Sequence, residues 1–469
     1  MRLEPISTGV PGLDQILGGG LLKGGVYLLQ GSAGAGKTIL AHQIGFHRIA
    51  MGGRVAYVTL LAESHARMMQ HMEVFSFYVE SAIPDAMTYI SAFDALAKEG
   101  LAGVAKILGT ELRQNKVDLL VLDGLVTATG AAESPQDMKR LVSQIQAMST
   151  LAGCTTLLLN SVEDARPSGS EQTMVDGILM LRQRLVRSRH ERTLEVTKFR
   201  GALVLYGAHN FRIGDDGVVL FPQLEAAHLA PFARRPENTR ISTGVPGLDE
   251  MMGGGYPLGS VTAITGPEGA GKSLLGLQFL SKATRREPAL LFCLDQSGEM
   301  AEGIGAAFAI DLQSLSQTGL LHLAAPSPFE ESIDEVGYRL LRAVRSFGAR
   351  RLFIDGLVSV LSTPAYEERG AAFFAALFRE LRREGTTSLF SIRLKPDGTG
   401  SPIFEAISPL ADNTVRLTAA ERGYKLVRAV SIAKVQASLH DASIRELELT
   451  AAGLRTGATL TSAYERRDP

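Results

Sequence analysis

The chain has almost none of what a disulfide framework needs: two cysteines, Cys154 and Cys293, in 469 residues. Both fall in apolar strand-like runs, CTTLLLN and LLFCLD, so both are expected to be buried free thiols in a reducing cytoplasm. Excess charge is missing as well. Lysine plus arginine number 48 against 49 aspartates and glutamates, a formal charge of −1. Without bulk basicity there is no electrostatic case for nucleic acid as a partner. No apolar run approaches the roughly 20 residues of a membrane span. The opening MRLEPISTG has neither the basic stretch nor the apolar core of a secretory signal, which again points to the cytoplasm. With 45% hydrophobic and 21% charged residues, the chain reads as a globular protein with room for two ordinary domains.

What the sequence does have is repetition. ISTGVPGLD occurs at Ile6–Asp14 and again at Ile241–Asp249, and each copy leads into the pattern G-x-x-x-x-G-K-[ST]. The first loop is Gly31, Ser32, Ala33, Gly34, Ala35, Gly36, Lys37 and Thr38. The second is Gly266, Pro267, Glu268, Gly269, Ala270, Gly271, Lys272 and Ser273. A turn of small residues lets successive backbone N–H groups point at phosphates, and the helix that follows adds the positive end of its dipole. Lys37 and Lys272 are placed to reach β/γ-phosphates, and the Thr38 and Ser273 hydroxyls to coordinate Mg²⁺. Strand-like runs Val26–Gln30 and Val261–Thr265 precede the loops; helical stretches Ile39–Ala50 and Leu274–Ala283 follow. One such motif arises by chance as a glycine-rich turn, but two in matched strand–loop–helix settings imply ATP binding.

The repeat divides the chain into a first domain, 1–221, and a second, 239–460, with a proline-containing linker at 222–238 and a tail at 461–469. In each half, β-branched or leucine-rich runs alternate with helical periods: Val55–Leu60, Leu119–Leu122 and Thr155–Asn160, then Ala289–Leu294, Leu352–Ile354 and Ser388–Ile392. Such alternation predicts an α/β fold, a mostly parallel sheet flanked by helices. Thr193–Lys198, His209–Ile213 and Val218–Leu220 read instead as terminal hairpins. Asp123 in DLLVLDG and Asp355 in RLFIDG close apolar strands where a carboxylate helps hold the metal, although Asp-Gly is also a common turn signal.

These features together resemble the KaiC family of RecA-like ATPases: STGVPGLD…GGG, both P-loops, both strand-end aspartates, and RTLEVTKFRG near the end of the first half. The resemblance spans nearly the whole chain. It implies two tandem RecA-like domains in a double-ring homohexamer, with ATP held between adjacent subunits. It further implies that Lys198 and Arg200, the K-x-R-G cations, reach the neighbour's γ-phosphate; standing alone, that strand end would read as a solvated turn. The second half has KVQAS there, so Lys434 is kept but Gln436 replaces the arginine, and turnover in that half is expected to be weak. In place of the family's paired glutamates the second half has Asp295 and Gln296. In the first half Glu63 is the candidate base if one residue is inserted; otherwise it simply favours a helix start. Where the family carries neighbouring phosphate acceptors the second half has Ser408 and Pro409, and the first has Gln172 and Thr173. A two-site phosphorylation cycle is therefore not expected, while a single-site autokinase stays open.

Other signals are weaker. His65, Met68, Met69, His71 and Met72 read better as core and face residues than as metal ligands. Arg339, Arg342, Arg345, Arg350 and Arg351 read as a solvated or subunit-facing surface, and Ser161–Thr173, where recombinases contact DNA, is too acidic for tight phosphate binding. A regulatory protein partner is plausible, and a DNA-binding recombinase is the rival from another class.

Overall fold

The apolar runs of each half pair edge to edge, and the intervening helical segments cover the resulting sheet, because a strand buried on both faces needs an almost continuous hydrophobic run. The structure is a computed structural model. It describes residues 4–62, 65–161, 170–186, 189–227, 239–294, 296–325, 332–357, 369–395, 402–422, 425–436 and 438–460. The chain divides between residues 227 and 228 into two units.

In the first unit nine strands lie in the order Gly217–Phe221, Ala208–Gly214, Arg189–Phe199, Gly177–Val186, Val26–Gly31, Thr155–Ser161, Leu119–Asp123, Val55–Thr59 and Met87–Ser91. From Gly177–Val186 to Met87–Ser91 all neighbours are parallel; the three remaining pairings are antiparallel. The second unit repeats the plan. Leu321–Ala324, Ala289–Cys293, Arg351–Asp355, Thr387–Arg393, Val261–Gly266 and Asn413–Arg422 are parallel, and Lys425–Val435, Arg445–Thr450 and Gly453–Thr459 continue antiparallel. The P-loop strands are central, and every residue of both is buried. Cys154 and Cys293 are buried too, and burial pushes both thiols up to about 12. Met68 and Met72 are buried on the helix His65–Met72.

The repeated nine residues are a tie, not a ligand site. Asp14 accepts from Ser7 Oγ at 2.6 Å, Thr8 N at 2.9 Å and Thr8 Oγ1 at 2.6 Å. Asp249 accepts from Ser242 Oγ at 2.7 Å and Thr243 N at 2.6 Å. Gly12, at φ 82°, lies where a Cβ would stand 2.3 Å from the Leu220 carbonyl oxygen. The motif thereby locks the start of the domain onto its last strand.

Two departures from expectation have simple causes. The segment just after Phe221 still belongs to the first unit: Leu224 is buried, and the Gln223 N–H donates to His209 Nδ1 at 3.0 Å. Proline and charge had marked it as linker, but its apolar side chain finds core to cover. The outermost strands Met87–Ser91 and Leu321–Ala324 were not anticipated, because a half-exposed edge strand carries little of the apolar signal.

His42, on the helix Lys37–Ala50, is fully buried, donates from Nδ1 to the Thr38 carbonyl at 2.7 Å and stacks on Tyr57 at 4.3 Å. Burial pulls its pKa down from 6.5 to about 4. The native state therefore holds His42 neutral where the unfolded chain protonates it, and stability falls as pH drops from 6.5 toward about 4. The full penalty is about 3 kcal/mol. The matching residue of the second unit is Leu277, so His42→Leu should flatten the pH dependence of first-domain unfolding across that window. Denaturant melts at pH 7 and pH 5 read the difference; an unchanged slope would show that His42 is not the group responsible.

Candidate functional site

Each P-loop is the turn between a buried central strand and a helix that starts at the motif lysine: Val26–Gly31 with Lys37–Ala50, and Val261–Gly266 with Lys272–Ser281. The two loops share their backbone form. Gly34 and Gly269 have φ 77° and 73°, Gly36 and Gly271 have 104° and 102°. A Cβ added at Gly34 or Gly269 would meet nothing within 4 Å, so the loop tip faces open space where phosphate oxygens fit. Lys37 Nζ donates to the carbonyls of Gly31 and Ser32, both at 2.9 Å, and Lys272 Nζ to those of Gly266 at 2.9 Å and Pro267 at 2.7 Å. Burial lowers the pKa of both ammonium groups; Asp123 counters it for Lys37, while Arg393 adds to it for Lys272.

The strand-end carboxylates sit beside the loops, held by different partners. Asp123 Oδ2 accepts from Thr38 Oγ1 at 3.3 Å and from Tyr57 OH at 2.8 Å. Burial raises the Asp123 pKa, and the hydrogen bonds from Tyr57 and Thr38 and the charge of Lys37 pull it back. Asp355 Oδ1 accepts from Ser391 Oγ at 2.6 Å, and Ser391 Oγ accepts from the Gly356 N–H at 3.0 Å. Sheet register places Leu291 where the first half has Tyr57, and Leu159 where the second has Ser391. Sequence reasoning missed both partners. The available signal was a hydroxyl side chain inside each buried run, Tyr57 in VAYVT and Ser391 in TSLFSIR, but other hydroxyls share both runs. Thr38 with Asp123, and Ser273 with Asp355, offer oxygen donors only, a set that suits a hard divalent cation such as Mg²⁺. In the second unit Lys272, Ser273 and Asp355 line one cavity of about 990 Å³ together with Gln296, Arg393 and Arg428.

Lys198 and Arg200 are not brought to their own P-loop. Lys198 pairs with Ile178, which pairs with Leu28, three residues before Gly31 at the loop. That places Lys198 about 10 Å down the sheet and about 10 Å across it from the loop. Its Nζ donates to the Gln172 and Thr173 carbonyls, both at 3.0 Å, and Arg200 Nη2 reaches the Thr173 carbonyl at 3.5 Å. The strand runs antiparallel, so Arg200 lies farther away still, its N–H donating to the Asp176 carbonyl. Lys434 repeats the arrangement, donating to the Ala411 carbonyl at 2.7 Å and the Pro409 carbonyl at 3.5 Å, and the Gln436 N–H donates to the Asp412 carbonyl where Arg200 donates to Asp176. Thr173 and Ser408 lie on the short turns Ser170–Thr173 and Ser408–Leu410 that these lysines cap. Glu63 and Asp295, the candidate bases, lie outside the described residues, as does Ala437. Within the arginine stretch, Arg345 binds Glu380 and Glu384, Arg350 the Glu384 carbonyl, and buried Arg351 binds Glu287 over the Phe279 ring. Those three serve the fold.

A parallel sheet with a central P-loop strand, a P-loop lysine and a strand-end aspartate, made twice in one chain, defines a tandem RecA-like P-loop ATPase. A family model described as the KaiC ATPase matches residues 6–225 and 241–459. Curated relatives include the circadian clock oscillator protein KaiC of Picosynechococcus, 28% identical over 96% of this chain and 89% of its own length. That of Prochlorococcus marinus subsp. pastoris is 27% identical over 97% and 91%, and KaiC 1 of Synechocystis 28% over 96% and 88%. The chain belongs to the KaiC family.

Asp123 must lose its proton to take a cation, and the Tyr57 O–H favours the charged form. Tyr57→Phe should raise the Asp123 pKa further and move the acid limb of Mg²⁺-dependent nucleotide binding to higher pH. A pH series of ATP affinity with and without Mg²⁺, in the Lys272→Ala background so that only the first site reports, reads this. A limb that stays in place would remove Tyr57 from the metal side.

Proposed function

We propose that this KaiC-family ATPase binds Mg·ATP at the subunit interfaces of a homohexamer and hydrolyses it mainly in the first domain. The observation that carries this reading is the distance of Lys198 and Arg200 from the P-loop of their own domain, since cations so placed serve a phosphate only on a neighbour. Backbone N–H groups of Gly31–Thr38 and the Lys37 ammonium would hold the phosphates, and Asp123 and Thr38 would hold the metal, which would supply neutralisation of phosphate charge. Glu63 orients and polarises the attacking water. Lys198 and Arg200 of the adjacent subunit stabilise the charge that develops on the transferred phosphoryl group. The second domain binds ATP through Lys272, Ser273 and Asp355. With Gln436 in place of the arginine it turns over slowly and serves assembly and signalling. Nucleotide state would set the ring's conformation and so its output to a regulatory protein partner in the cytoplasm, and relatives named circadian clock oscillator proteins fit a regulatory role.

A second reading, a single-site autokinase, draws on Ser408, which shares its turn with Pro409, one of the two carbonyls that Lys434 holds, and would approach a neighbour's γ-phosphate with it. Its hydroxyl would attack the γ-phosphorus, ADP would leave, and Asp295 would take the proton. Phosphopeptide mapping after incubation with ATP tests it, with label at Ser408 expected. A recombinase role has less support, given the near-zero net charge.

Steady-state ATPase assays on Lys37→Ala and Lys272→Ala test the asymmetry. Lys37→Ala should remove nearly all turnover and Lys272→Ala should leave most of it in the assembled protein. Arg200→Ala should lower kcat by roughly 10³–10⁵. Equal losses from the two lysine variants would refute a division between the domains.

A further inference from the structure

The second nucleotide cavity carries an arginine, Arg393, at a register position where the first unit has a serine. Strand Thr387–Arg393 runs parallel to the P-loop strand Val261–Gly266, with Arg393 directly opposite Gly266, and the Leu394 N–H ties that end down by donating to the Gly266 carbonyl at 3.0 Å. In the first unit the residue opposite Gly31 is Ser161. Arg393 therefore leaves the strand end beside the loop, on the wall that also carries Lys272, Ser273 and Asp355. Its guanidinium is 3.5 Å from the Glu268 carboxylate within the P-loop, with side chains 67% and 79% exposed. An exposed ion pair of that kind is cheap to break. Arg428, on the adjoining wall, donates from Nε to the Gly269 carbonyl at 3.1 Å. At the position matching Glu268 the first loop has Ala33, so the arginine and its carboxylate partner occur together at these two positions only in the second half.

We infer that Arg393 is a nucleotide-binding residue of the second site, supplying from within the same subunit the cationic contact to the terminal phosphate that Gln436 cannot supply from a neighbour, and that Glu268 holds it until phosphate displaces the carboxylate. This rests on the reading of the second domain as an ATP site. A guanidinium beside the loop favours the more highly charged triphosphate over the diphosphate, because its gain comes from the γ-phosphate oxygens. The second ring would thus distinguish ATP from ADP without help from its neighbour. Glu268 sets how strongly it does so, since it competes for the same donors.

The test is calorimetric titration of the full-length protein, carrying Lys37→Ala so that only the second site reports, with Mg·ATP and Mg·ADP. Arg393→Ser, which installs the first-domain residue, should weaken ATP about tenfold while ADP affinity stays within about twofold. Glu268→Gln should tighten ATP severalfold by releasing the arginine. Both side chains are exposed, so neither change touches the core, and a far-UV spectrum and thermal melt matching the parent verify it. An unchanged ATP-to-ADP preference in Arg393→Ser overturns the assignment of Arg393, and absence of any gain in Glu268→Gln overturns the competition. Adding Lys272→Ala separates the two levels of the argument. If heat of nucleotide binding persists without Lys272, the ATP-site reading itself fails, whatever Arg393 does.

Discussion

A phosphate loop that grows out of a parallel strand must open at the carboxyl end of that strand, because only there do the helix amino terminus and the backbone N–H groups converge. Everything catalytic in this protein answers to that polarity. Asp123 and Asp355 each end a parallel strand one removed from the P-loop strand, at the same edge of the sheet, and so meet the loop. The K-x-R-G strand runs the other way, and its cations are carried down the sheet away from the phosphates of their own domain. On the function proposed above, a single fold thus carries two separated halves of one active site. The economical way to unite them is to repeat the subunit around a ring.

The duplicated scaffold is conserved where it bears load and altered where it bears charge. Asp14 and Asp249 both accept from the serine hydroxyl and the threonine N–H of their turns, and both P-loop lysines rest on the same pair of loop carbonyls. The metal-side carboxylates, by contrast, are oriented by a phenol on one side and a serine hydroxyl on the other. Arg200 in the first unit corresponds to Gln436 in the second, and Ser161 to Arg393. In the proposed function the changes of charge at matched positions act on phosphate, whereas the ties act on stability, so two sites of one shape would hold the same nucleotide with unequal consequences.

Much of this was legible in the sequence because it is local. Strand, loop and helix are contiguous in each P-loop, and Asp123 and Asp355 each follow an unmistakable apolar run, so type and place agree with the structure. What escaped depends on which strands become neighbours. Tyr57 and Ser391 acquire meaning only when sheet order sets them beside the aspartates, and Arg393 only when register sets it against Gly266. The edge strands and the Gln223–Leu224 packing escaped for a different reason: partial burial leaves a weak pattern, and a nearby proline outweighs it. Placement of Glu63 turned on an inserted residue that one sequence leaves undetermined.

The central claim is that the first-domain site is completed by a neighbour. Mixing two inactive full-length variants tests it most directly: Arg200→Ala retains the P-loop, Lys37→Ala retains the cations. Subunits exchanged at equal ratio should restore activity at about a quarter of the interfaces, where an intact loop meets an intact arginine. If the mixture stays as inactive as its components although exchange is complete, the cations do not act between subunits and the account fails.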